Sequence, residues 1–263
     1  YAPLSLERPD PYNHIDEEEG LTDPIAGRQG CHMAAAEWRV LGWLEQQGID
    51  YDLYGESQFH FDAFPLDEYQ CLAITTHPEY WSKDMYFRLK NWVFERGGRL
   101  IYLGGNGLNC EIELLDDHRV VYHNPPWSHS EIQLKPDGGA YESRFDKRQE
   151  SEANLLGVVF SFSGIMTAAP YKVIDASHWC FEGTGLKNGD TFGEKSLHQR
   201  IPGGASGHET DKISAQSPAN TQLLAKGLNP DEGGAELVEH EPAGGRHSLE
   251  GRSADRRRHV DER

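Results

Sequence analysis

Between Ala34 and Gln47 apolar residues recur at helical spacing: Ala36, Val40, Trp43 and Leu44 share one stripe, and Gly48 supplies a stop. IDYDLY (Ile49 to Tyr54) then alternates like a short strand. CLAI (Cys71 to Ile74) is apolar throughout and reads as a buried strand that runs into polar residues and a proline. Ser82 is placed to cap a second helix whose apolar stripe is Met85, Leu89, Trp92 and Val93, with Gly97-Gly98 as its end. RLIYLGGNG (Arg99 to Gly107) reads as a strand followed by a glycine loop.

Strand, crossover-length helix, strand is the order from which parallel sheets with covered faces are built. The expected fold is therefore α/β, an open doubly wound, mostly parallel sheet of the flavodoxin-like or class I glutamine amidotransferase-like kind. From about 108 to 145 the pattern shortens to alternations such as RVVYHN and EIQLK, which predict β-hairpin insertions on the rim. LLGVVFSFSG (155–164) and YKVIDASHW (171–179) predict two further strands. Residues 1–32, rich in Pro, Asp and Glu, read as an irregular entry segment, and 33–242 as the α/β domain. The Arg-rich stretch 243–263 reads as a basic, disordered tail. There is no internal repeat.

Charge and cysteines narrow the possible partners. At 263 residues with a formal net charge of −18, the chain repels nucleic acid and anionic membrane, so neither is expected as a partner. The four cysteines, Cys31, Cys71, Cys110 and Cys180, show no CxxC spacing and read as free thiols in a reducing, cytoplasmic compartment. No stretch has the apolar length of a membrane span and no signal peptide is seen. The first residue is Tyr1 rather than an initiator Met, which reads as a fragment lacking upstream residues.

In open α/β sheets ligands bind beyond the carboxyl ends of the strands. Two groups fall there: Thr75-Thr76-His77-Pro78-Glu79 after CLAI, and Gly104-Gly105-Asn106-Gly107 after LIYL. If the two strands are neighbours, His77, Glu79 and Asn106 share one crevice. Glu79 offers an anionic oxygen for a metal or a proton, His77 titrates near neutrality, and Asn106 can polarise a carbonyl. The same Thr-His-Pro-Glu run also suits a helix N-terminus, and that alternative stands.

HPEYW lacks the spacing of the zinc-protease H-E-x-x-H, and GGNG lacks that of a dinucleotide fingerprint or a P-loop. The His77 region occupies the place of a glutamine amidotransferase's cysteine, which argues against Cys-based amide transfer. GGASGHETDK (Gly203 to Lys212) presents His208, Glu209 and Asp211 on a glycine-rich loop. HWCFEGTGLKNGDTFG (178–193) offers His178 and Glu182. GESQFHFD (55–62) offers His60 beside two Phe, and reads as a docking or lid loop. Each of these three also reads as an ordinary solvated or packed loop.

Taken in order, EWRVLGWLEQQGIDYDLY, THPEYWS, GGRLIYLGGNG, FEGTGLKNGDTFG and GGASGHETDK resemble the large (beta) subunit of the N,N-dimethylformamidase family, over roughly residues 35 to 240. The resemblance is to that subunit's C-terminal, amidotransferase-like domain. It implies an enzyme that hydrolyses small N-substituted amides, dimethylformamide giving formate and dimethylamine, at a mononuclear iron (Fe3+) held by two tyrosinates and a glutamate. Glu79 matches the metal-binding glutamate, His77 the nearby histidine, Asn106 the asparagine and Glu209 the second glutamate. By distance Tyr1 matches the second tyrosinate. The basic tail departs from the family's apolar continuation. The resemblance also implies a small partner subunit and a higher oligomer. The competing readings are a non-catalytic binding or assembly module and a metal-independent hydrolase that uses Glu79 and Glu209 as an acid–base pair.

Overall fold

The computed structural model describes residues 3–7, 34–123, 137–139, 141–195 and 202–242. A two-residue strand, β1 (Leu4–Ser5), is followed by α1 (Ala34–Gln46) and the short α2 (Glu56–His60). β2 (Cys71–Thr76), β3 (Tyr80–Ser82), α3 (Lys83–Arg96) and β4 (Arg99–Gly104) then come in close succession. Ser82 ends β3 and caps α3. Its Oγ accepts from the Met85 N–H at 3.2 Å, a cap worth about 1 kcal/mol. Gly97 stops the helix in the left-handed region at φ 72°.

β5 (Cys110–Leu114) and β6 (Arg119–Tyr122) make a hairpin, and α4 (Phe145–Arg148) and α5 (Ala153–Leu156) are single turns. Short strands fill the remainder: β7 (Val159–Ser161), β8 (Ala168–Ala169), β9 (Tyr171–Val173) and β10 (Thr191–Phe192). They are followed by β11 (Ser206–Gly207), β12 (Thr210–Lys212), β13 (Gln222–Gly227) and β14 (Glu236–Glu239).

Pairing is mostly antiparallel. One sheet has the order β1-β6-β5-β3 and another β10-β9-β13-β14, with β11-β8, β12-β7 and β2-β4 as separate pairs. Only β2-β4 and β3-β5 run parallel among the described residues. The apolar stripe of α3 fills the main core as expected: Met85, Tyr86 and Leu89 are fully buried, with Trp92 and Val93 beside them. Each large side chain buried there contributes roughly 1.5–3 kcal/mol of transfer free energy. A second cluster, Val173, Phe181, Leu224 and Ala225, lies under the sheet of β9 and β13.

The structure therefore overturns the open doubly wound, mostly parallel sheet, and with it the flavodoxin-like or amidotransferase-like architecture. Parallel strands need a crossover of a dozen residues or more. The described chain supplies one between strands, α3; every α-helix described after it has four residues. Later strands are joined by turns and loops, so they pair antiparallel. IDYDLY is not a strand either. Two of its side chains meet Tyr69 instead: the Tyr69 hydroxyl donates to Asp52 at 2.7 Å and meets the Tyr54 hydroxyl at 2.8 Å. Trp43, placed on the buried stripe of α1 by spacing, is 54% exposed.

Other expectations fare better. The α3 helix and the strand RLIYLG form as read, and RVVY pairs in a hairpin. CLAI is a strand, extended to Thr76, but not the buried one expected: Ile74 is buried while Cys71 and Ala73 are exposed. LLGVVFSFSG divides into the turn α5 and the short β7 rather than one long strand. EIQLK, residues 8–33 and the basic tail 243–263 lie outside the described residues.

Candidate active site

β2 and β3 follow one another across His77-Pro78-Glu79, and the break is where the chemistry collects. Before it, Thr76 of β2 pairs with Gly104 of β4; after it, Tyr80 of β3 pairs with Cys110 of β5. Proline has no N–H, so the ladder cannot continue unbroken through the break. The glycine loop of β4 bridges it instead: the Leu108 N–H donates to the Pro78 carbonyl at 2.8 Å and the Cys110 N–H to that of Glu79 at 2.9 Å. Helix capping falls to Ser82, so the His-Pro-Glu run is not the cap of α3.

The turn between β11 and β12 brings in Glu209. It approaches so closely that a Cβ on Gly105 would lie 2.3 Å from the Glu209 carbonyl oxygen. Glycine is the residue type that fits such a contact. Backbone strain gathers at the same place, with Thr76 at φ 72°, Asn106 at 57° and His208 at 54°. For a β-branched residue such as Thr76 this is an outlier, and strained φ values of this kind cost about 1–3 kcal/mol each.

These turns aim four side chains at one another. His77 stands between two carboxylates, its Nε2 3.1 Å from Glu79 Oε2 and its Nδ1 3.2 Å from Glu209 Oε2. Asn106 Nδ2 donates to Glu209 Oε1 at 3.3 Å. The Glu79 hydrogen bond raises the His77 pKa above its ordinary value; burial opposes this, and the Glu209 charge reinforces it. Burial raises that of Glu209, with His77 opposing and the Glu79 charge adding to it. Both ring nitrogens facing carboxylates is the arrangement an imidazolium satisfies, since it alone donates from both positions.

A second layer holds the glycine loop. Asp211 is buried and accepts from the Asn106 N–H at 2.8 Å, the Gly107 N–H at 3.4 Å and the Tyr102 hydroxyl at 2.7 Å. Burial outweighs these donors and raises the Asp211 pKa. The Cys110 thiol lies 3.8 Å from Glu79 Oε1. Burial and then the Glu79 charge push that thiol up to about 12, which leaves it un-ionised and a poor nucleophile.

Residues 1–256 match the family described as N,N-dimethylformamidase beta subunit-like, C-terminal. The chain belongs to this family. The match extends beyond the 35–240 expected from the motifs, and it takes in most of the Arg-rich end as well as the entry segment. No curated protein matches the chain. Membership in this dimethylformamidase-like family supports a hydrolase role on amides.

The structure thus brings His77, Glu79, Asn106 and Glu209 together, while Tyr1 lies outside the described residues. Among the described residues no group of three or more His, Cys, Asp or Glu is placed to hold a metal ion. Glu79 Oε1, the oxygen not paired with His77, lies 3.8 Å from the Cys110 thiol and is the carboxylate oxygen that Glu79 would offer a metal.

The other candidates sit elsewhere in their bonding. His178 accepts from the Cys180 N–H at 3.4 Å as a cap, and His60 bonds Ser82 at 2.7 Å. Cys71, Cys110 and Cys180 are free thiols. No helix among the described residues is long and apolar enough to cross a membrane.

Sequence reasoning left Tyr102, Asn109 and Arg144 unassigned, and gave Asp211 no role. Asp211 is visible only as the second residue after Glu209, and Asn109 as the third after Asn106. Arg144 has no sequence signal, because it reaches the site through a bridge formed by tertiary pairing with Cys110.

Proposed function

We propose that this chain hydrolyses small N-substituted amides of the dimethylformamide type, releasing formate and dimethylamine from dimethylformamide itself. The observation that carries the reading is His77 held between Glu79 and Glu209, with Asn106 on Glu209, in a member of this family. Glu209 acts as general base. It takes the proton of a water as the water oxygen attacks the amide carbonyl carbon, and returns it to the nitrogen as the C–N bond breaks. Burial raises its pKa above the ordinary carboxylate value, which makes it a stronger base than an exposed glutamate. His77 holds Glu209 and Glu79 in register through its two ring nitrogens. Asn106 fixes the rotation of the Glu209 carboxyl.

Mononuclear Fe3+ is the cofactor this reading calls for, with Glu79 and Tyr1 among its ligands; bound there, it would supply Lewis acidity. The family's description as beta subunit-like supports a partner subunit in a larger complex.

Metal analysis, visible absorption and formate release on the same preparation test the reading. The expected result is iron bound with a tyrosinate-to-iron charge-transfer band, both lost in Glu79→Ala together with activity. A colourless, metal-free protein whose activity survives that substitution would sink it. Activity that survives chelation but is lost in Glu79→Ala and Glu209→Gln would replace it with the metal-independent acid–base pair.

A further inference from the structure

The site does not end at Asn106. The Asn109 side-chain amide donates to Asn106 Oδ1, and Arg144 Nη1 donates to Asn109 Oδ1 at 2.9 Å. One line of contacts therefore runs Arg144, Asn109, Asn106, Glu209, His77, Glu79. Both asparagines are buried, so water does not offer an alternative partner.

A guanidinium has five N–H donors and no acceptor. Asn109 must therefore turn its oxygen toward Arg144, which leaves its NH2 for Asn106. Asn106 must accept with its oxygen and in turn presents its own NH2 to Glu209. Had either amide faced the other way, two donors would meet at one contact, or the Asn106 oxygen would face a carboxylate. Amide oxygen and nitrogen are nearly the same size, so shape alone does not choose between the orientations. The donor at the end of the line chooses.

Arg144 is held for this task from both sides. Cys110 and Arg144 form a β-bridge, the Glu111 N–H donates to the Ser143 carbonyl at 2.7 Å, and the Phe145 N–H donates to the Asn109 carbonyl at 2.8 Å. The fully buried Phe145 anchors the segment, and the guanidinium carbon lies 5.8 Å and 5.3 Å from the ring centroids of Phe160 and Phe162. Cation–π contact of this kind restrains the guanidinium plane.

We propose that Arg144 is a positioning residue that sets the hydrogen-bond polarity of this line and so turns the Asn106 NH2 onto Glu209. The catalytic consequence rests on the reading of Glu209 as general base; the polarity itself does not.

Three full-length variants test it. Arg144→Lys keeps a donor-only end, Arg144→Met keeps the length without a donor, and Asn109→Asp keeps the contact to Arg144 but has no NH2 to pass on. Two quantities are measured on folded protein: kcat and KM for N,N-dimethylformamide, and hydrogen exchange of the Asn106 side-chain amide by NMR of 15N-Asn protein. Arg144→Met and Asn109→Asp should lower kcat about 10- to 100-fold, the range seen when an outer partner of an active-site group is removed. KM should stay within about twofold, because ground-state binding is not touched. Exchange of the Asn106 amide should accelerate in Arg144→Met; in Asn109→Asp its NH2 should turn from Glu209 to the new carboxylate, read as a shift of its 15N and 1H resonances. Arg144→Lys should restore kcat and protection.

Equal losses in Arg144→Lys and Arg144→Met, or wild-type kcat and wild-type Asn106 amide resonances in Asn109→Asp, would overturn the proposal. If Arg144→Met does not fold, Asn109→Asp decides by the same criteria. If the wild type itself leaves dimethylformamide intact, that counts against the amidase reading alone. The NMR readout then decides the polarity: unchanged Asn106 exchange in Arg144→Met or unchanged Asn106 amide resonances in Asn109→Asp refutes it, and both changes support it.

Discussion

Replacing Glu152 by Gln should flatten the pH dependence of this protein's stability. Glu152 is 1% exposed, and its Oε2 has no hydrogen-bond partner among the described residues. Burial pushes its pKa from the ordinary 4.5 up to about 8; a hydrogen bond from its own backbone N–H and the Arg144 charge oppose the rise, and the charges of Asp146 and Asp211 add to it. The sign follows from where the proton is held. Between pH 4.5 and 8 the folded chain keeps the Glu152 proton and the unfolded chain has released it, so stability falls as pH rises through that window. Every tenfold difference in proton affinity between the two states is worth about 1.4 kcal/mol, so the loss approaches a few kcal/mol by pH 8, with about 5 kcal/mol as a ceiling.

A glutamine in this place is neutral at every pH, so this part of the slope disappears. Urea unfolding followed by tryptophan fluorescence at about pH 5, 6, 7 and 8 measures the effect on wild type and Glu152→Gln. The two proteins should lie close together at about pH 5, and the variant should be the more stable by about 2–5 kcal/mol at about pH 8. Parallel stability curves, or a variant that is less stable at the upper end of the range, would refute the account of a carboxyl that burial keeps protonated.

Gly105→Ala should remove most of the amidase activity and destabilise the fold, because the new methyl must displace the Glu209 backbone that lies 2.3 Å from its position; overpacking of this kind costs about 1–3 kcal/mol, read by thermal melting beside the rate assay. Tyr102→Phe takes one of three donors from the buried Asp211 and should cost about 1–3 kcal/mol in urea unfolding, with a slower reaction because the Asn106 loop loses part of its anchor. Ser82→Ala should cost about 1–3 kcal/mol of stability through loss of the α3 cap and of the His60 contact while KM stays unchanged, which separates capping from the chemistry three residues upstream.

His77, Glu79 and Asn106 were readable as candidates because each sits on a short break in an otherwise apolar or glycine-rich run, and such breaks are visible in a single segment. Their neighbourhood was conditional on the two strands pairing, and the parallel register of β2 with β4 meets that condition. Glu209 needed the family resemblance. Its segment carries a glycine loop with three charged candidates, and nothing nearby in the chain says which of them turns inward.

Local periodicity determined α3, its Ser82 cap, its Gly97 stop, β2 and β4, because these depend on interactions within a few residues. The number and direction of the other strands did not follow. Parallel or antiparallel pairing is chosen by which edges meet, and the short strands from β7 onward can meet only in hairpins or through loop-brought partners. Tertiary structure alone decided that Glu209 reaches His77 across the Gly105 backbone, that Asp211 anchors the loop, and that Arg144 closes the line through Asn109. The physical reason is separation along the chain: Glu209 lies more than a hundred residues from His77, and no local pattern encodes a contact of that span. The sequence by itself therefore supplied the reactive groups and their local turns, and the folded chain supplied their mutual geometry.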